Sequence, residues 1–137
     1  MTSRRHFITT SISSALSAPL ATCATTKNSS FIDAHVHVWT PDTQTYPLAA
    51  GFEQKDMAPP SFTPDQLFAH TKPEGVTRIV LIQMSYYKTD NRYMLDMMAA
   101  HPGTFSGVAI IDETAADVRG RMKALKVARN VLAPFFG

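Results

Sequence analysis

The chain has 137 residues, 45% of them hydrophobic and 18% charged, which is an ordinary globular composition and excludes a chain too polar to bury a core. That length suits one domain and falls well short of the roughly 250 residues of a closed α/β barrel. The formal charge of +2 vanishes without Arg4 and Arg5, so there is no electrostatic case for nucleic acid or an acidic membrane. No apolar run is long enough to span a bilayer.

Residues 1–24 read as a targeting segment rather than as part of the fold. Ser3-Arg4-Arg5-His6-Phe7-Ile8 resembles a twin-arginine export signal, followed by a weakly apolar stretch diluted with Ser and Thr up to Leu20. Cleavage after Ala24 and a periplasmic or exported product are the expectation. Lipidation of Cys23 is the rival, although Thr22 suits it poorly. The one cysteine falls in this segment, so the rest of the chain is expected to carry neither a disulfide nor a thiolate ligand. Residues 25–30 form a polar linker.

The domain begins with Phe31-Ile32-Asp33-Ala34-His35-Val36-His37-Val38-Trp39. Side chains alternate along a strand, so the even positions give an apolar face and the odd ones place His35 and His37 side by side. Two imidazoles at i, i+2 are a plausible grip for one divalent ion; a merely wet face usually carries Ser, Thr or Lys. Residues 40–62 hold four prolines and Gly51, which predicts a long loop. Trp39, Tyr46 and Phe52 suggest an aromatic lid over the two histidines, with a mobile surface loop as the alternative.

Thr63-Pro64-Asp65-Gln66 predicts a helix start with a capping box, stapled by Phe62 and Leu67 and stopped by Pro73 and Gly75. His70 lies in this helix with no ligand-type neighbour and reads as a packing histidine. Residues 77–84 are a strand whose run Ile79-Val80-Leu81-Ile82 predicts a parallel strand covered on both faces. Gln83, Ser85, Tyr86 and Tyr87 follow its end, and Gln83 and Tyr86 are candidate substrate contacts or turn residues.

Asp90 is the expected cap of a second helix reaching about Ala100, with Met94, Met97 and Met98 as its packing face. His101-Pro102-Gly103 ends it, and residues 105–111 form a third strand ending at Asp112. A second capping box is expected at Thr114-Ala115-Ala116-Asp117. The helix after it turns Val118, Met122 and Leu125 inward and its basic residues to water. Residues 127–137 diverge from this alternation, because Pro134 makes a poor central strand.

Taken together, Asp33-Ala34-His35-Val36-His37-Val38-Trp39, Pro59-Pro60-Ser61-Phe62-Thr63-Pro64, Gly75 to Gln83, Asp90-Asn91-Arg92-Tyr93, His101-Pro102-Gly103 and Gly107-Val108-Ala109 resemble, in order, the amidohydrolase-related branch of the amidohydrolase superfamily, which contains metal-dependent hydrolases and lactonases. The resemblance runs over residues 31–126. It implies an α/β fold, the first three β-loop-α units of a TIM-type (β/α)8 barrel with parallel strands, incomplete in this chain. It also implies a divalent metal, zinc by preference, on His35 and His37, though some relatives work without one.

The implied reaction is hydrolysis of a lactone, ester or C–N bond in a small-molecule substrate, with Gln83, Tyr86 and Trp39 around it. The family's remaining ligands and general base come from later strands and have no counterpart here. The expectation is therefore a truncated hydrolase, inactive as a lone chain. The alternatives are a small exported metal-binding module and a fragment that completes its barrel with a second chain.

Overall fold

The computed structural model describes residues 30–129 and 131–136. The targeting segment, Cys23 and most of the linker lie outside the described residues. The elements follow one another as strand, helix, strand, helix, strand, helix, strand. They are β1 (Phe31–Val36), α1 (Pro64–Thr71), β2 (Val76–Ile82), α2 (Arg92–Ala100), β3 (Phe105–Ile111), α3 (Val118–Arg129) and β4 (Val131–Phe136). All described strand pairs are parallel, in the order β1-β2-β3-β4. Consecutive parallel strands joined through helices are what the strand–helix alternation of the sequence implies.

The fourth strand corrects the sequence reading, which left residues 127–137 as a divergent tail. Val131–Phe136 pairs with β3, and Pro134 stands opposite Ala109. Proline is tolerated there because β4 is at the edge among the described residues, with a ladder on one side alone. The core lies on the covered face of the sheet. Ile79, Leu81, Phe105 and Ala109 are buried there with Leu67 of α1 and Tyr93, Met94 and Met98 of α2. The other positions of β3, Ser106, Val108 and Ile110, are half-buried on the opposite, more open face.

Gly107 shows why α2 sits so close. A Cβ built there would lie 2.6 Å from Met98 Sδ and 3.1 Å from Met94 Cε, so a larger residue would make the ends of the two methionines shift away from the sheet.

The cap of α1 forms as its sequence predicts. The Thr63 hydroxyl accepts from the Gln66 amide at 3.5 Å, and Gln66 Oε1 accepts from the Thr63 amide at 2.7 Å. Thr63→Ala removes one half of this box and is expected to cost about 1 kcal/mol in chemical denaturation. The other caps differ from expectation by a few residues. Asn91 stands at the cap position of α2 but makes no side-chain capping bond; Asp90 Oδ1 accepts from the Arg92 amide at 3.2 Å, and the same carboxylate grips the Arg92 guanidinium, with distances down to 2.7 Å. Asp117, not Thr114, serves α3, accepting from the Gly120 amide at 2.9 Å, while Thr114 bonds Asp112. In both cases two short polar residues compete for one role, and local spacing does not say which wins.

Candidate functional site

β1 does not alternate cleanly. Asp33 stands opposite Ile79 but Val36 stands opposite Leu81, so β1 spends one more residue than β2 over that interval. Such a bulge switches the faces of the strand. Asp33 is thereby placed on the side of Ile79, while His35 and His37 share the open side. The sequence reading put Asp33, His35 and His37 on one face; the bulge separates the carboxylate from the pair. Asp33 Oδ1 instead accepts from the backbone amide of His35 at 3.2 Å.

The imidazoles meet. His35 Nε2 lies 3.3 Å from His37 Nε2, with ring centroids 5.1 Å apart and the rings nearly perpendicular. His37 Nδ1 lies 2.9 Å from the carbonyl oxygen of Ile82, the last residue of β2. A carbonyl can only accept, so Nδ1 carries the proton and the Nε2 of the neutral ring keeps its lone pair. A ligand histidine whose second nitrogen donates to a backbone carbonyl is the usual arrangement around a metal. Two nitrogens each about 2.0–2.1 Å from one zinc at the tetrahedral angle lie about 3.3 Å apart, so the observed spacing fits a shared ion. Among the described residues, no group of three or more His, Cys, Asp and Glu side chains comes together to hold a metal. The pair offers two ring nitrogens.

The other candidate residues are bound up with the loop at 40–62. Trp39 pairs with Phe62 in a short antiparallel bridge, and its indole N–H donates to the Pro59 carbonyl at 2.9 Å. The Tyr86 hydroxyl donates to the Asp56 carbonyl at 3.1 Å, and its ring is edge-on to both Trp39 and Phe52. Tyr46 does not join them. It packs edge-on to Tyr93 and donates its hydroxyl to Asp96 at 3.0 Å, which fastens the loop to α2. The loop is thus fixed by its aromatic residues, and His35 remains exposed rather than roofed by them.

Gln83 is 3% exposed, and its amide nitrogen donates to the carbonyls of Lys88 (3.2 Å) and Asp90 (2.8 Å). Those bonds hold the turn after β2 and use both N–H groups, so this nitrogen is not offered to a ligand. His70 stacks on Phe62, and His101 sits edge-on to Phe68 and Phe105, so neither belongs to the site.

Three rim features had no signal in the sequence pattern or a faint one. The Ile82 carbonyl orients His37, and a backbone oxygen leaves no trace in residue type. Asn91 clamps the end of β3, its amide accepting from the Ile110 N–H at 3.0 Å and donating to the Ile110 carbonyl at 2.7 Å. The sequence marked Asp90 as a helix cap and Asp90-Asn91-Arg92-Tyr93 as part of the family resemblance, but not this reach. Asp112, just past β3, accepts from the hydroxyl and amide of Thr114, and these bonds hold its carboxyl below the usual range. Deeper in, burial pushes the Tyr87 phenol up, while its oxygen accepts from the Thr40 amide at 3.1 Å.

A relative from Comamonas testosteroni, a 2-pyrone-4,6-dicarboxylate hydrolase, is 30% identical over 86 residues, covering 63% of this chain and 27% of its own. A solved structure from Acinetobacter baumannii, described as a probable 2-pyrone-4,6-dicarboxylic acid hydrolase with citric acid bound, matches 74% of this chain and 36% of its own at 23% identity and a TM-score of 0.55. One from Agrobacterium tumefaciens matches 75% of this chain and 35% of its own at 22% identity and a TM-score of 0.60. The chain therefore spans between a quarter and two fifths of the length of these relatives, and the two structures share its α/β fold over that part. The family model for amidohydrolases matches residues 32–129, well over half of the sequence and every strand and helix from β1 to α3, so the chain belongs to the amidohydrolase family.

Proposed function

We propose that this chain carries the first metal-binding strand of a metal-dependent hydrolase acting on a lactone or ester, with zinc held by His35 and His37. The observation behind the reading is the joint geometry of the pair. The Nδ1 of His37 is engaged by a carbonyl on the neighbouring strand, which leaves its Nε2 facing His35, and the two Nε2 atoms stand at a spacing that fits a shared ion. A bound divalent ion supplies an activated water and polarises a carbonyl.

The chain's own contribution is to bind and orient. His37 is fixed by Ile82, and His35 closes the pair from the exposed side. Trp39 and Tyr86 present ring faces at the rim, since their polar atoms are engaged by the loop, and Gln83 acts through the turn it holds. The substrate class is carried over from the named relatives. Catalysis usually needs a third protein ligand, and none joins the pair among the described residues. The 137-residue polypeptide by itself is therefore proposed to bind metal without turnover. Completion of the barrel, by further sequence or by a second chain, belongs to the same proposal. β1 is open along one side among the described residues, with Phe31 56% and Ile32 50% exposed. Export by the twin-arginine route is proposed on the leader sequence alone. No helix among the described residues is long and apolar enough to cross a membrane.

The test is cobalt(II) titration of the full chain, followed by its visible absorption bands and competed with zinc. One ion per chain is expected, with the bands abolished when His35 and His37 are both alanine and kept when His70 or His101 is alanine. Absence of saturable binding, or binding that survives the double substitution, overturns the reading.

A further inference from the structure

The end of the sheet away from the imidazoles holds a second concave surface. β2 starts at Val76 and ends at Ile82, whose carbonyl partners His37. At the usual rise along a strand, its first residues therefore lie roughly 20 Å from that pair. A cavity of about 310 Å³ opens there, lined by Phe68, Lys72, Val76, Thr77, His101 and Thr104. Lys72 and His101 are the residues that follow α1 and α2, and Val76 and Thr77 begin β2.

A basic residue just past a helix usually offsets the partial negative charge of its last carbonyls. Lys72 is placed otherwise. Its ammonium stands 4.4 Å from the centre of the Phe68 ring, so the charge lies against a wall of the cavity. It forms no ion pair among the described residues, where the ion pairs are Lys55–Glu53 and Arg92–Asp90. A ring face attracts the cation but does not replace an oxygen acceptor for its three N–H groups. The backbone under it is fixed, the Lys72 amide donating to Phe68 and its carbonyl accepting from Gly75, both at 3.1 Å. Phe68 stacks on Phe105 with centroids 5.4 Å apart, and the His101 ring stands edge-on to both. The imidazole is thus held in one plane at the cavity and carries an N–H donor even when neutral. Thr104 adds a hydroxyl, on a backbone bonded to His101 at 3.2 Å and Ile79 at 2.9 Å. The Thr77 hydroxyl is shared with Ser30 at 2.7 Å.

Lysine, imidazole and hydroxyl donors come here from the ends of two different helices. A planar carboxylate offers two oxygens in one plane. A phosphate offers three in different directions, with a charge of about −1.5 to −2. Phe68 and Val76 supply carbon surface beside the donors, so the anion that fits has an organic group. We propose that this cavity binds a small phosphate monoester, with the phosphate at Lys72, His101 and Thr104 and the organic group against Phe68 and Val76. The site is separate from the imidazole pair and does not rest on the hydrolase reading. Because Lys72 and His101 follow different helices, the ligand ties the ends of α1 and α2 together.

The probe is phenyl phosphate, titrated without metal into the ¹⁵N-labelled full chain, with inorganic phosphate and phenol as its two halves. Saturable shifts are expected at the amides of Lys72, Val76, Thr77, His101 and Thr104 with phenyl phosphate. Inorganic phosphate is expected to shift the same amides with an affinity about three- to tenfold weaker, the size of a lost ring contact, and phenol is expected not to saturate. Lys72→Gln is expected to weaken phenyl phosphate at least about tenfold, the size of a lost charge-assisted hydrogen bond. Lys72→Arg is expected to keep affinity within about threefold, since the charge and donors remain. Lys123→Gln, on the exposed side of α3, is expected to change nothing and separates this site from a general attraction of anions to lysines. Unchanged affinity in Lys72→Gln, an equal loss in Lys123→Gln, or shifts confined to other residues overturns the proposal. Equal binding of inorganic phosphate or of phenol overturns it as well.

Discussion

Alanine at His37 is expected to weaken zinc binding by more than about 100-fold in competition titrations of the full chain, and alanine at His35 by a similar factor. The floor comes from the roughly 10–100-fold lost when only an outer partner of a ligand is removed. A ligand itself must cost more, because with two protein ligands its loss leaves a single imidazole and no chelate. The two residues should differ in a second respect. His37 is half-buried and tied to Ile82 at 2.9 Å, so its Nε2 is aimed before the ion arrives. His35 is exposed, and among the described residues its ring meets only His37, while its backbone amide donates to Asp33. Glutamine at His37 keeps a donor for Ile82 but cannot offer the same aimed nitrogen, so it should behave like alanine. Zinc affinity within about threefold of the parent chain in either single alanine variant would show that the pair does not act together.

Leu81→Ala is expected to destabilise the fold by about 2–5 kcal/mol in urea denaturation, a large part of the roughly 5–15 kcal/mol that a domain usually has in total. Leu81 is fully buried, at 0% exposed, in the centre of β2 and belongs to the cluster that joins α1, α2 and the sheet. Removing its branched end leaves a cavity that cannot collapse, because its strand is hydrogen-bonded on both sides by β1 and β3. The effect reaches the site as well, since Leu81 precedes Ile82, whose carbonyl orients His37. A loss below about 1 kcal/mol would mean that the covered face is less tightly packed than the burial of Ile79, Leu81 and Ala109 implies.

The strongest sequence signals were those in which one residue type has one physical use. The run from Ile79 to Ile82 marks a strand, although among the described residues only the face of Ile79 and Leu81 is fully covered, and Thr63-Pro64-Asp65-Gln66 marks a helix start. The methionines at 94 and 98 reach the sheet as their spacing requires, although the Gly107 hydrogen that admits them is legible only in three dimensions. The weaker signals were those shared by neighbours. Asp90 and Asn91 both suit a cap, as do Thr114 and Asp117, and the competition was decided by where Arg92, Ile110 and Asp112 fell in space.

The sequence by itself determined the alternation of strand and helix and the presence of two imidazoles two residues apart, because each follows from periodicity or composition over a few residues. Only the tertiary structure decided the rest. A bulge in β1 sends Asp33 away and keeps His35 with His37, a carbonyl of β2 sets the tautomer of one ring, and a turn held by buried Gln83 forces Lys88 into a conformation proper to glycine. The reason is common to all three. Register and the backbone acceptor are fixed by partners more than 40 residues distant, and the φ of Lys88 by the joint bonding of a whole turn, so in none of the three does residue type alone name the partner.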